Sequence, residues 1–284
     1  MIVKIENEFL TAEISGLGAE LYSIRDKTDG HEFLWQGREE IWSGRSPILF
    51  PIVGRLMDDS YRYNGTEYKM AKHGFAREMP FEAVSQQGNA AVFLLKSSDE
   101  TRTQYPFEFE LYVRFELNGR SLTATHTVVN KNDGDMYFSI GGHPGFNCEL
   151  GYSLVFDETE TLLTETIGAD DALRLPDRTP VPGDGREIVI TGDIFNDDAL
   201  ILSGLTSKAV TLKSRNHDRT VRFTFGDVPF LGIWAKPGAP YVCIEPWFGV
   251  NDNRDRKDDI SEKEGIQRLV KGGQFELVYT AEVK

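Results

Sequence analysis

Hydrophobic and polar positions alternate in short runs along most of the chain, with a period of two rather than 3.6. Segment 107–117 reads Phe-Glu-Phe-Glu-Leu-Tyr-Val-Arg-Phe-Glu-Leu, the pattern of a strand with one buried face. It is followed by Asn118-Gly119 and a second β-rich run, 121–130, which together predict a long hairpin. A shorter hairpin is predicted at 61–68, where Asn64-Gly65 supplies two residues that tolerate the positive φ of a type I′ turn. Further strands are expected at Ala209–Lys213, 220–225, 230–235, 241–245 and 275–283. Helical periodicity is nearly absent. The best candidate is 258–265, where Ser261 and Glu264 have capping-box spacing and Gly265 ends the run. The stretch 158–198, richer in Asp and Pro, reads as long surface connections with minor strands. Many short strands with glycine-rich turns and no internal repeat predict one all-β domain, 1–284, built as a sandwich or barrel.

Charge and composition narrow the partners. The 284 residues carry 31 Lys and Arg against 45 Asp and Glu, a formal net charge of −14. Such a surface repels phosphate backbones and anionic lipid, so neither nucleic acid nor membrane is an expected partner. No apolar run approaches the roughly 18 residues of a membrane helix. The polar N-terminus, Met-Ile-Val-Lys-Ile-Glu-Asn, lacks a signal-peptide core. The two cysteines, Cys148 and Cys243, are expected to be buried thiols in a cytoplasmic protein.

Candidate chemistry centres on four residues. His73 lies in Lys-His-Gly-Phe-Ala-Arg, and His143 in Gly-Gly-His-Pro-Gly-Phe-Asn. Adjacent glycine lets backbone and ligand approach closely, and Pro144 stiffens its loop. Read locally, each is equally an ordinary loop histidine. His31, His126 and His217 read as structural or exposed. Glu245 ends the apolar run Tyr-Val-Cys-Ile-Glu, beside Trp247 and Phe248. Partial desolvation there would raise its pKa and make it a better base near neutrality, and the two aromatic rings could floor a sugar site. A salt-bridged strand-end Glu beside a core Trp fits the same residues. Arg55, after Phe-Pro-Ile-Val-Gly, can present a fork of donors to hydroxyls, or be a surface ion pair. The 251–262 segment has acidic residues at several calcium-loop offsets but Arg256 where the loop requires Gly, so it is rejected as a calcium site. Gly16-Leu-Gly-Ala is too short to be a phosphate-binding fingerprint. Two His and a carboxylate could also bind zinc, although none shares a helix at i, i+4 spacing.

In order along the chain, Gly54-Arg-Leu with its following hairpin and His73-Gly, then Gly142-His-Pro-Gly-Phe-Asn, then Val242-Cys-Ile-Glu, resemble the aldose 1-epimerase (galactose mutarotase-like) family, and most closely its LacX-like bacterial branch. Glu262-Lys-Glu-Gly-Ile and Lys271-Gly-Gly-Gln-Phe resemble its closing strand and turn. The resemblance implies a β-supersandwich, a large antiparallel sandwich, and an isomerase that interconverts α and β anomers of an aldose without cofactor or metal. It implies Glu245 as base and His143 as acid, with His73 and Arg55 holding the ring-oxygen side and hydroxyls. The family's sugar-contacting Asp matches Asp198 better than Asp197. His73 is followed by Gly-Phe and Glu245 by Pro-Trp-Phe, unlike the galactose enzymes. These positions neighbour the sugar, so the resemblance carries over the chemistry but not the galactose preference. The expected partner is a small sugar, bound by a monomer or homodimer. Two alternatives stand beside this reading: a hexose-6-phosphate mutarotase, for which Arg45 and Arg77 are candidate rim cations, and a non-catalytic carbohydrate-binding protein on the same fold.

Overall fold

The computed structural model describes residues 1–256 and 259–284. Two large sheets dominate it. One has nine strands in the order Glu187–Val189, Ser153–Phe156, Ala209–Lys213, Thr220–Thr224, Gln274–Val283, Ser121–Asn130, Phe109–Asn118, Ala90–Lys96 and Glu82–Gln87. The other has eight. It runs Arg174–Pro180, Leu163–Ile167, Leu200–Ser203, Phe230–Trp234, Tyr241–Phe248, Ile140–Gly142 and Ile48–Leu49, and Gly145–Asn147 pairs a second stretch of Tyr241–Phe248. Both sheets are antiparallel throughout. A three-stranded sheet of Ile2–Glu6, Leu10–Ser15 and Leu21–Asp26 stands at the N-terminus.

Side-chain alternation makes these sheets face each other. In Phe109–Asn118 the odd positions are buried and the even ones lie at least partly in solvent. Phe109, Leu111, Val113, Phe115 and Leu117 thereby join Ile140, Leu231, Ile233, Val242 and Ile244 of the eight-stranded sheet in one hydrophobic core. Ring contacts cross the gap, Phe146 to Phe223 at 5.8 Å between centroids and Phe50 to Phe109 at 5.2 Å. This is the large antiparallel sandwich that the resemblance implies, and one of the two architectures, sandwich or barrel, that the alternation allows. A smaller apolar cluster, including Leu49, Ile167, Ile201 and Trp247, forms apart from the main core and supports the site described below.

The predicted hairpins form. Tyr63 pairs with Thr66 around Asn64 (φ 49°) and Gly65 (φ 79°), a two-residue turn with both φ positive. In the longer hairpin Asn118 still pairs with Ser121, so Gly119-Arg120 make the turn, one residue later than expected. The helix expected at 258–265 begins on Asp258, outside the described residues. Beyond it there is only a 3-10 turn, Ile260–Glu262, in which Asp259 rather than Ser261 caps, accepting from the Ser261 N–H at 2.9 Å. Glu264, expected to close the box, instead reaches back to Arg174. The 158–198 stretch contributes the strands Leu163–Ile167 and Arg174–Pro180 to the edge of the eight-stranded sheet. Both cysteines are buried free thiols. Among the described residues no helix is long and apolar enough to cross a membrane.

One core residue makes the fold acid-sensitive. His126 is 2% exposed, its ring 5.4 Å from Tyr279, and burial pushes its pKa from 6.5 down to about 3. In the unfolded chain it titrates normally, so its contribution is complete above pH 6.5 and lost as pH falls toward 3. Urea unfolding at about pH 7 and about pH 5 should therefore show His126→Leu losing less stability between the two, by on the order of 2 kcal/mol. Equal losses in both proteins would exclude this source of acid sensitivity.

Candidate active site

The Tyr241–Phe248 strand organises the site. Alternation puts Tyr241, Cys243, Glu245 and Trp247 on one face and Val242, Ile244, Pro246 and Phe248 on the other. On its flank, Gly141 pairs with Trp247 and Gly145 with Cys243, in one continuous register. That register sets His143 directly opposite Glu245, and the Ile244 N–H donates to the Pro144 carbonyl at 3.1 Å. The result is a His143 Nε2 to Glu245 Oε1 separation of 3.2 Å. On the other flank Gly232 lies opposite Glu245. A Cβ on Gly232 would come within 2.6 Å of the Trp247 indole, so the absence of a side chain there lets the indole lie along the sheet.

His73 arrives on a loop locked to the same region. Its N–H donates to the Gly54 carbonyl at 2.8 Å, and the Gly54 N–H donates to His73 Nδ1 at 3.1 Å. With Nδ1 accepting, the proton of the neutral ring is on Nε2, which is left as a donor. Gly74 follows at φ 72°, and a Cβ there would sit 2.2 Å from the Phe50 carbonyl oxygen, which accounts for the His-Gly pair. The rings of His73 and His143 are 5.9 Å apart and perpendicular.

These side chains line a cavity of about 220 Å³, space for one monosaccharide. His73, His143, Glu245, Trp247 and Asp198 all border it; Asp197 borders a neighbouring depression instead. Asp198, at φ 77°, accepts from the Ala199 N–H at 2.8 Å. Four further polar or aromatic residues, not among the candidates drawn from the sequence, line it as well: Trp42, Lys72, Trp234 and Asn251. The Trp42 and Trp234 rings lie 5.1 and 5.7 Å from that of His143. Trp234 was inferable, since it is two positions from Gly232 on a strand and so shares its face. Trp42 sits in a loop without local signature.

Two expected ligands of the sugar lie elsewhere. Arg55 is outside the cavity, because Asp59 takes its guanidinium at 3.0 and 2.9 Å four residues on. Phe248 is on the opposite face of its strand from Glu245 and packs edge-on against Phe275 at 4.9 Å. Of the two suggested rim cations, Arg77 borders the cavity, whereas Arg45 lies over the Tyr22 ring at 4.2 Å. A larger cavity of about 460 Å³, between Trp35, Tyr152 and His217, holds no comparable carboxylate–imidazole contact; His217 meets the Tyr152 hydroxyl at 2.6 Å.

Burial governs the electrostatics. Glu245 is 1% exposed, and desolvation lifts its pKa well above the usual carboxylate range, opposed by the charge of Lys72 and the Trp247 N–H and reinforced by Asp198. Burial pushes His143 down to about 3, with Lys72 and Arg77 adding to the effect. His73 is depressed by the same causes. Both rings are therefore uncharged in the resting site, and the His143–Glu245 pair holds one titratable proton. Among the described residues, the group with donors close enough to hold a metal ion is His143, Cys243 and Glu245.

A buried carboxylate–imidazole pair in a monosaccharide-sized aromatic cavity, carried on a β-supersandwich, defines a mutarotase-like isomerase scaffold. The sequence profile of the family described as Aldose 1-epimerase matches residues 1–255, and the chain belongs to that family. It is 34% identical to the plasmid-encoded protein LacX of Lactococcus lactis subsp. lactis, over 95% of each chain. Its structure is similar to that of a galactose mutarotase related enzyme from Lactobacillus acidophilus, with a TM-score of 0.95 and 36% identity, covering 100% of this chain and 97% of the other. A galactose mutarotase-like protein from Lactobacillus casei superposes with a TM-score of 0.94 at 30% identity, covering 100% of both chains.

The charge of Lys72 lowers the proton affinity of both His143 and Glu245. Lys72→Met should let the pair hold its proton more tightly and move the whole pH–rate profile upward. An unmoved or downward-shifted profile would show that Lys72 does not act on the pair.

Proposed function

We propose that the protein is a mutarotase, interconverting the α and β anomers of an aldose by opening and reclosing the ring. The observation that carries this reading is the 3.2 Å contact between the buried His143 and Glu245 in a sugar-sized cavity. Mutarotation needs a proton removed from the anomeric hydroxyl while another is delivered to the ring oxygen. With sugar bound, the proton of the pair shifts across the 3.2 Å contact to His143 Nε2, so that Glu245, as carboxylate, accepts the first and His143 donates the second. The C1–O5 bond breaks, leaving an open-chain aldehyde, a protonated Glu245 and a neutral His143. Rotation about C1–C2 and reversal of both transfers give the other anomer. The pair holds one proton at every stage, so each turnover restores the site and the chemistry calls on no redox or group-carrying cofactor. In this reading the Nε2–H of His73 and the carboxylate of Asp198, which line the cavity, hold ring oxygen and hydroxyls, and Trp42, Trp234 and Trp247 offer apolar surface to the sugar ring.

A second reading has its own support. Lys72 and Arg77 both border the cavity in a chain of net charge −14, an arrangement suited to an aldose carrying phosphate. Polarimetry of freshly dissolved single anomers, across neutral and phosphorylated aldoses, separates the two. If the substrate is phosphorylated, Arg77→Ala should raise KM for that sugar and leave KM for its neutral counterpart unchanged. On the best substrate, Glu245→Gln should lower kcat by about 10²–10⁴ with binding largely kept. His31→Asn and His217→Asn, at the other cavity, should stay within a small factor of the parent rate. A near-normal rate in Glu245→Gln would end the mutarotase mechanism and leave the carbohydrate-binding reading in its place.

A further inference from the structure

We propose that the acid–base pair, together with the thiol of Cys243, is also a binding site for Zn²⁺, and that zinc occupancy switches the enzyme off. The geometry follows from the strand. Cys243 and Glu245 are two residues apart and so share a face; Gly145 pairs with Cys243, and just before that strand His143 meets Glu245 at 3.2 Å. With only hydrogen in the way at Gly145, the thiol and the imidazole converge on the carboxylate. One nitrogen, one sulfur and one oxygen donor lie within 4.8 Å of one another, all three residues buried. No donor lies within hydrogen-bond distance of Glu245 Oε2, the Trp247 N–H acting on the carboxylate from farther off, so a lone pair remains available inside the site.

Three protein donors with a fourth position open to a cavity is the arrangement zinc accepts in proteins, and a thiolate among them selects zinc over hard cations. Tetrahedral zinc would bring the donors to roughly 3.5 Å from one another, within reach of side-chain rotation on fixed strands. Charge balances as well. As the Zn–S and Zn–O bonds form, the thiol proton and the proton held by the His143–Glu245 pair leave to solvent. Two protons out and one Zn²⁺ in keep the buried unit neutral, avoiding the cost of an uncompensated charge. Occupancy engages both the base and the acid, so zinc and sugar exclude each other. The inhibition rests on the mutarotase reading, whereas the binding rests on the geometry alone.

The test therefore has two readouts. In chelator-free protein, Co²⁺ as a spectroscopic stand-in should give a thiolate-to-cobalt charge-transfer band in the parent and none in Cys243→Ala. In polarimetry, Zn²⁺ should inhibit competitively with sugar, Mg²⁺ at the same concentration should have no effect, and chelation should leave the rate intact or raise it. Cys243 does not border the cavity, so Cys243→Ala should keep the basal rate while raising the inhibitory zinc concentration by about tenfold or more. Cys243→Ser, which keeps the volume but is a poor zinc ligand, serves if the alanine variant folds badly. A missing charge-transfer band overturns the site. Equal zinc inhibition of parent and Cys243 variants, or activity lost on chelation and restored by zinc, overturns the inhibitory role. If no aldose is turned over, the cobalt band still decides whether the metal binds.

Discussion

An imidazole and a carboxylate are held 3.2 Å apart, away from water, and neither can carry a charge there without the other. That constraint accounts for much of what surrounds them. Pairing of 140–141 and of 145–147 with Tyr241–Phe248 in one register, bridged by the Ile244 N–H to the Pro144 carbonyl, sets the two residues opposite each other, so backbone hydrogen bonds on both sides of His143 hold it in place. Gly141, Gly145 and Gly232 flank them as side-chain-free positions, the first and last leaving room for the Trp247 indole and Gly145 for the Trp42 ring. His73 is tied to Gly54 from both its backbone and its ring, which settles its tautomer before any sugar arrives. The sandwich beneath is the rigid support that such a pair needs.

The site's electrostatics run against those of the whole molecule. The chain carries a net −14, yet Lys72 and Arg77 stand at the cavity and depress proton binding by His143. Lys72 thereby opposes the rise that burial imposes on Glu245. A carboxylate buried without that cation would hold its proton more firmly, and less of it would be ionised and ready to accept a proton near neutrality.

Much of this was legible in the amino-acid order, for physical reasons. Asn-Gly turns demand positive φ, so they mark hairpins wherever β-type flanks surround them. The apolar runs at 230–235 and 241–245 are strands because each is short and flanked by glycine, proline or charge. His73, His143 and Glu245 stood out by their glycine, proline and aromatic neighbours, and all three border one cavity. The misreadings have equally concrete causes. Phe248 was grouped with Trp247 by adjacency, although neighbours on a strand point to opposite faces. Arg55 was judged by what precedes it, whereas Asp59, four residues later, decides where its guanidinium goes. Trp42 and Asn251 reach the cavity through tertiary packing, for which no local pattern exists. From Asp259 on, the expected helix is replaced by a 3-10 turn, Ile260–Glu262, because the backbone is already extended at Lys263 (φ −62°, ψ 136°), before Glu264.

The central claim is that His143 and Glu245 act as one proton-exchanging unit. A double-mutant cycle in mutarotation rate tests it most directly, using Glu245→Gln, His143→Asn and the two combined. Groups that act in one concerted transfer are strongly non-additive, so the double variant should be little slower than the worse single variant. Losses that multiply across the two substitutions would mean the residues contribute independently, and would contradict the account.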